Sequence, residues 1–138
     1  MSRGRSWAWA GLFGALVGSS GCIPGYTRLS VTPSLDANRR QPLYMLVRTL
    51  ERKAYAAESY ADVAAKLTEQ DASVLRKELL VPGKAKTVYI KHPKTPLAVY
   101  FMFTEPGGTW RLILDPPLPW QLQTELRGNS VLEKSTTF

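Results

Sequence analysis

The chain has 138 residues and a formal net charge of +7, with 44% hydrophobic and 21% charged residues. This length suits one domain, and the composition excludes an intrinsically disordered chain. The basic groups are short and interspersed with acids, and no nucleic-acid-binding motif accompanies them, so we expect no nucleic-acid partner. The single cysteine excludes an internal disulfide bond.

The first 22 residues predict an export signal. Residues 1–5 carry two arginines and no acid, and residues 7–17 are uncharged and mostly apolar, as in the n-region and h-region of a signal peptide. This apolar run is shorter than the roughly 20 residues that a transmembrane helix needs. The tripeptide Ser20-Gly21-Cys22 then resembles the end of a lipobox, with Ser19 where leucine is usual.

We therefore predict three segments: a lipoprotein signal peptide (1–21), a lipidated tether (22–27) and a β-sandwich domain (28–138). Cys22 would carry diacylglycerol on its sulfur, as a thioether, and with it several fatty acyl chains such as palmitate. Ile23 occupies the position where an aspartate would favour the inner membrane, so the sorting rule favours the outer membrane. The alternatives are an ordinary secretory signal with an incidental cysteine and a short membrane anchor. Loss of the signal's two arginines reduces the net charge from +7 to +5.

The mature chain begins with β-like segments. Residues 28–32 alternate polar and apolar side chains, which predicts a half-buried strand. Residues 33–42 are polar and bracketed by prolines, which predicts an exposed loop. Residues 43–50 are nearly all apolar, as in a strand buried on both faces or in an edge strand covered by a helix.

The next segment changes to a helical period. One face of the predicted helix carries Ala56, Tyr60, Val63, Ala64 and Leu67. Ser59 and Asp62 have the spacing of a capping box. We expect Asp71 to cap a second short helical turn that carries Val74 and Leu75.

The remainder is β-like, with a turn predicted at Pro82-Gly83. Further strands are predicted at residues 87–91, 97–104, 110–114, 120–126 and 130–133. The run 97–104 is the most hydrophobic of the mature chain and predicts a central strand that forms a hairpin with 110–114. Together these elements predict an all-β fold, a two-sheet β-sandwich of about seven to eight strands with a small helical insertion between the second and third strands.

Residues that could carry chemistry are few. His92 is the only histidine and lies in a Lys-His-Pro-Lys segment, where we expect an exposed loop. The carboxylates are scattered and no metal-ligand spacing exists. We expect Trp110 to be a core aromatic and Arg111 to point to solvent. The sequence therefore predicts no cofactor, no metal site, no catalytic residue and no enzymatic activity.

The order of several weak motifs is more specific than any one of them. They are Asn38, Pro42 with residues 43–50, Tyr60 with Leu67, Leu79-Leu80 with Pro82-Gly83, residues 98–103 and Trp110-Arg111. From Cys22 to about Leu132, the chain resembles the TssJ (SciN) family, the outer-membrane lipoproteins of type VI secretion systems. It departs from the family at Thr49, where Gln is frequent, and in the proline-rich residues 115–119.

The resemblance implies a β-sandwich lipoprotein on the periplasmic side of the outer membrane. It would bind the periplasmic C-terminal region of the inner-membrane protein TssM, in a complex that also contains TssL and several copies in a ring-like assembly. The implied contact is the loop between the first two strands, residues 33–42. Its polar members are Asp36, Asn38, Arg39, Arg40 and Gln41. The alternatives are a solvated loop without a partner, another envelope lipoprotein such as an assembly factor or toxin inhibitor, and a sandwich with a ligand pocket between its sheets.

Overall fold

The computed structural model describes residues 25–138, apart from the side chain of Lys134. The predicted signal peptide (1–21) and the predicted lipidation site, Cys22, lie outside the described residues. The strands are β1 (Tyr26–Pro33), β2 (Leu43–Thr49), β3 (Val74–Leu80), β4 (Lys86–Lys91), β5 (Leu97–Met102), β6 (Arg111–Leu114), β7 (Gln121–Arg127) and β8 (Ser130–Thr137). The helices are α1 (Arg52–Ala57) and α2 (Tyr60–Ala65), and a 3₁₀ turn spans Ala37–Arg40.

The strands of this part of the chain form two four-stranded sheets. The first sheet has the order β4-β1-β7-β8 and the second the order β3-β2-β5-β6. Neighbouring strands are antiparallel, except that β1 and β7 are parallel. The two sheets confirm the predicted sandwich. The predicted helical insertion is also confirmed, because α1 and α2 lie between β2 and β3.

The core consists of two apolar layers on either side of the second sheet. Alternate residues of both sheets form the larger layer, and Leu29, Leu122 and Phe101 are each at most 1% exposed there. The smaller layer packs Val63 of α2 against the other face of β2 and β5. Every residue of β5 is therefore buried, as predicted for a central strand. Both layers are built from residues 26–138, so this part of the chain forms a two-layer core of its own.

The helical insertion follows its predicted capping signal. The Ser59 hydroxyl accepts a hydrogen bond from the Asp62 backbone N–H at 3.1 Å, and the Asp62 carboxylate accepts one from the Ser59 N–H at 2.9 Å. This confirms the capping box. The predicted single helix is divided into two, because Glu58 has extended backbone angles, φ −75° and ψ 135°.

The prediction of a second helical turn at Val74 and Leu75 is wrong. These residues begin β3, an edge strand that pairs antiparallel with β2. Asp71 does not cap a helix. Its carboxylate accepts hydrogen bonds from the Ser73 backbone N–H and hydroxyl, at 2.8 and 2.6 Å, and turns the chain into the strand. Pairing with the open edge of β2 stabilises a strand here in spite of the helical pattern, and local sequence does not reveal that edge.

His92 lies in a loop, as predicted, but the expectation that it is exposed is wrong. The residue is half-buried, and Nε2 lies 2.9 Å from the hydroxyl oxygen of Thr27. The His92 backbone N–H donates to the Gly25 carbonyl at 2.7 Å. These contacts join the start of β1 to the end of β4.

Candidate functional site

The loop between β1 and β2 has an unusual backbone. Asn38, Arg39 and Arg40 have φ values of 50°, 54° and 63°, so three successive non-glycine residues are left-handed. Each such residue costs roughly 1–2 kcal/mol, with Asn at the low end. A conformation of this kind persists only where the surrounding structure holds it, and it is found most often at functional sites.

Asn38 is the residue that holds the loop. Its side chain is buried, and its amide nitrogen donates to the carbonyls of Gln41 at 3.2 Å and Pro42 at 3.1 Å. Its amide oxygen accepts from the Thr104 backbone N–H at 2.8 Å, and its own N–H donates to the Gly128 carbonyl at 2.7 Å. Asn38 therefore fixes the loop against two neighbouring turns, and its side chain does not face a partner.

The other four predicted residues lie at the surface. Asp36 accepts a hydrogen bond from the Ser34 hydroxyl, and this contact lowers the pKa of the Asp36 carboxyl. Arg39 forms an ion pair with Glu105 at 2.5 Å, between side chains that are 66% and 62% exposed. Such a pair stabilises by at most about 1 kcal/mol, so a partner's carboxylate can replace Glu105.

An apolar groove that the sequence did not predict adjoins these charges. Leu35, Arg40, Pro42, Val81 and Pro82 line a surface groove of about 390 Å³. Leu35 is 75% exposed, and its only signal in the sequence is that it is a large apolar residue in a polar loop. The groove is therefore lined by four apolar residues and one arginine.

Gly83 makes room for this arrangement. Its φ is +81°, and a Cβ atom there would lie 2.7 Å from Cδ2 of Leu35. Its backbone N–H donates to the Pro33 carbonyl at 2.9 Å. The turn after β3 is thus fixed against the end of β1, beside the loop.

The loop lies at the opposite end of the sandwich from the start of the domain. Strand β1 enters at Tyr26 and leads into the loop after Pro33. Eight residues at about 3.3 Å each give a strand roughly 25 Å long. The segment that precedes Tyr26 and the pair Arg39-Arg40 are therefore separated by the length of the domain.

A second polar cluster lies beneath the helical insertion. Arg48 forms an ion pair with Glu58 between side chains that are 7% and 15% exposed. The Tyr100 hydroxyl donates to the other Glu58 oxygen at 2.6 Å, and burial, followed by this hydrogen bond to Glu58, raises the pKa of Tyr100. The cluster joins the break between α1 and α2 to the second sheet, which is a structural role.

Arg111 belongs to the same cluster, so the expectation that it points to solvent is wrong. Its guanidinium lies 4.2 Å from the centre of the Tyr55 ring, and Nη1 donates to the Tyr55 carbonyl at 2.5 Å. The helices cover this face of β6 and turn a surface position into a packed one. Trp110 is half-buried and packs edge-on against Tyr60, with ring centres 5.0 Å apart.

Two further observations concern residues 25–138. No group of three or more His, Cys, Asp or Glu residues in that range is placed to hold a metal ion. No helix in that range is long and apolar enough to cross a membrane.

The fold is that of lipoproteins from the type VI secretion system. Lip from Serratia marcescens, described as a membrane-bound component of that system, matches with a TM-score of 0.66 at 15% identity over 84% of this chain and 100% of that one. TssJ1 from Pseudomonas aeruginosa matches with a TM-score of 0.60 at 15% identity over 82% and 98% of the two chains. A chain of a structure described as the TssM C-terminal domain from EAEC matches with a TM-score of 0.65 at 17% identity over 80% and 98%.

Residues 44–126 match the family described as IglE, N-terminal domain. The chain belongs to this family, and the predicted TssJ-like relationship is confirmed. No curated protein sequence matches the chain.

Proposed function

We propose that this protein is an outer-membrane lipoprotein of a type VI secretion system that binds the periplasmic C-terminal region of TssM through the loop between β1 and β2. Cys22 carries the lipid, and the domain faces the periplasm. Its role is binding rather than catalysis. Family membership and the fold shared with TssJ1 and Lip support the class. The match to a chain described with the TssM C-terminal domain supports the partner.

The observation that carries the proposal is the rigid left-handed turn that exposes Arg39 and Arg40 beside the Leu35 groove. Because the turn is already held before binding, complex formation does not carry the entropic cost of ordering this loop. Guanidinium groups bind carboxylates with two parallel hydrogen bonds and are enriched among the residues that dominate interface energies. Asp36 and Gln41 flank the pair and contribute polar contacts at the rim.

The position of the loop agrees with this role. Strand β1 begins at Tyr26, so the last two residues of the predicted tether, 22–27, belong to the strand. The strand then spans roughly 25 Å between tether and loop. A lipid on Cys22 holds one end of the domain at the membrane, and the loop projects into the periplasm. Several acyl chains make this attachment nearly irreversible, since each buried methylene contributes about 0.8 kcal/mol.

The test of the partner is a titration of the purified TssM C-terminal region against wild type and the double variant Arg39→Glu with Arg40→Glu. We expect at least a tenfold loss of affinity, because loss of two interface arginines costs more than about 1.4 kcal/mol. The substitution keeps the steric demands of the left-handed backbone, since Glu and Arg both carry a Cβ atom.

The matched control is Lys53→Glu with Lys94→Glu, which makes the same change in charge at exposed positions near the other end of the domain. It should bind TssM like wild type. Equal affinity of the two double variants would remove the loop from the interface.

The lipid anchor has its own test. The variant Cys22→Ser should leave the membrane fraction and abolish secretion, while the circular dichroism spectrum of the domain stays unchanged. A variant that still fractionates with the outer membrane would refute the anchor.

Within the complex, TssL and a ring of several copies should co-purify with the wild-type chain from solubilised membranes. Their absence, with another envelope protein in their place, would favour an assembly factor or a toxin inhibitor.

A further inference from the structure

Four exposed side chains form a compact patch at the end of the domain where β1 begins. Tyr26 lies opposite Lys91 and Arg28 lies opposite Tyr89 in the antiparallel pair of β1 and β4. Side chains directly opposite each other share a face, with Cβ atoms about 4.5–5.5 Å apart. The flanking residues of both strands point into the core. Two cations and two aromatic rings therefore alternate on the outer face of the first sheet.

The patch is unpartnered within the domain. Tyr89 is 50% exposed and Tyr26 is 36% exposed. Neither Arg28 nor Lys91 forms an ion pair with another described residue. The neighbour of Arg28 on its other side is Gln121, which is uncharged. Six other cations are different, since Arg39, Arg52, Lys66, Arg76, Lys86 and Arg127 each face a carboxylate.

A further apolar side chain lies at the same end. Thr137 pairs with Gln121, and Phe138 follows it with 78% of its surface exposed. Tyrosine and phenylalanine rings partition into the interface between water and lipid, and cations bind the phosphates found there. The combination suits an anionic phospholipid surface better than a protein partner, which would cover the aromatic rings with a complementary apolar surface.

The chain between Cys22 and Tyr26 is short enough to hold this patch close to the membrane. Four peptide units separate Cys22 from Tyr26, so their Cα atoms are at most about 14 Å apart. We propose that the patch of Tyr26, Arg28, Tyr89 and Lys91 rests on the anionic phospholipid surface to which the lipid on Cys22 attaches the chain. It fixes the tilt of the domain and aims the opposite loop away from the membrane. The inference uses the proposed anchor, but the patch can be tested without it.

The test uses the chain from residue 23 onward, which contains both core layers and carries no lipid. Binding is measured by co-sedimentation with vesicles of phosphatidylethanolamine and phosphatidylglycerol, and with vesicles of phosphatidylcholine alone. The wild-type domain should bind the anionic vesicles and not the neutral ones. The variant Arg28→Gln with Lys91→Gln should bind about 25-fold more weakly, since each cation near an anionic surface contributes roughly a factor of five. Tyr26→Ser with Tyr89→Ser should weaken binding without changing its dependence on salt.

The matched control is Arg76→Gln with Lys84→Gln, which removes two exposed charges elsewhere. Glu78, which pairs with Arg76 in the wild type, keeps its second partner Lys86 at 3.2 Å. It should bind within about threefold of wild type, because the Debye length is only about 8 Å at physiological salt. Equal losses in both charge variants, or no loss in the first, would overturn the patch. Failure of the Cys22 or TssM experiments would leave this result unchanged, so the two proposals fail separately.

Discussion

Replacement of Asn38 by alanine tests whether the loop is held before it meets a partner. The change removes the two hydrogen bonds to the Gln41 and Pro42 carbonyls and the one from the Thr104 N–H. It also puts a residue with no local hydrogen-bonding side chain at φ 50°. The hydrogen bond from the Asn38 backbone N–H to Gly128 is unaffected.

The expected loss of stability follows from these contacts. Three hydrogen bonds contribute about 0.5–1.5 kcal/mol each, and alanine adds roughly 1 kcal/mol of left-handed strain. Thr104 is exposed, so water can replace one partner. The free energy of unfolding should therefore fall by about 2–4 kcal/mol, a large part of the 5–15 kcal/mol typical of a domain. Asn38→Gly should lose about 1 kcal/mol less, because glycine adopts this φ freely.

The assay is urea denaturation followed by tryptophan fluorescence, with Gln41→Ala as the control. Gln41 is exposed in the same loop, so its truncation should change stability by less than about 0.5 kcal/mol. A loss below about 1 kcal/mol in Asn38→Ala would show that the buried amide does not hold the loop. Equal losses in the Ala and Gly variants would show that the left-handed backbone is unstrained.

The remaining predictions concern the helical insertion. Glu58→Gln leaves the Arg48 guanidinium buried beside a neutral group and should lower stability by about 2–4 kcal/mol. The double variant Arg48→Met with Glu58→Gln should recover part of that loss, and no recovery in urea denaturation would contradict the pairing. Lys66 and Ser73 lower the pKa of Asp71. Because the folded-state pKa lies below the unfolded one, this contribution is present above about pH 4 and lost on acidification. Asp71→Asn should flatten the acid side of a Tm-against-pH curve, and an unchanged curve would refute the linkage.

Short-range patterns predicted much of the sandwich. Alternation in β1, the uninterrupted apolar run of β5 and the turn at Pro82-Gly83 each reflect a local requirement, so they are readable without the fold. The misplaced segment is β3. It is an edge strand whose formation depends on the open side of β2, and its own residues also suit a helix.

The candidate site was only partly predictable for a similar reason. Asn38 tolerates a left-handed backbone better than most residues, but nothing local predicts the same conformation at Arg39 and Arg40. That conformation depends on Thr104 and Gly128, which are more than sixty residues away. The Leu35 groove likewise needs residues from two loops, so polarity alone selected the charged members and missed the apolar one.

Site-specific photocrosslinking in the intact cell envelope tests the central claim most directly. A photoreactive amino acid replaces Arg40 in one strain and Arg28, at the other end of β1, in a second strain. Crosslinks to the C-terminal region of TssM should form from position 40 and not from position 28. Capture of TssM from position 28 alone would contradict the proposed orientation and the proposed interface together.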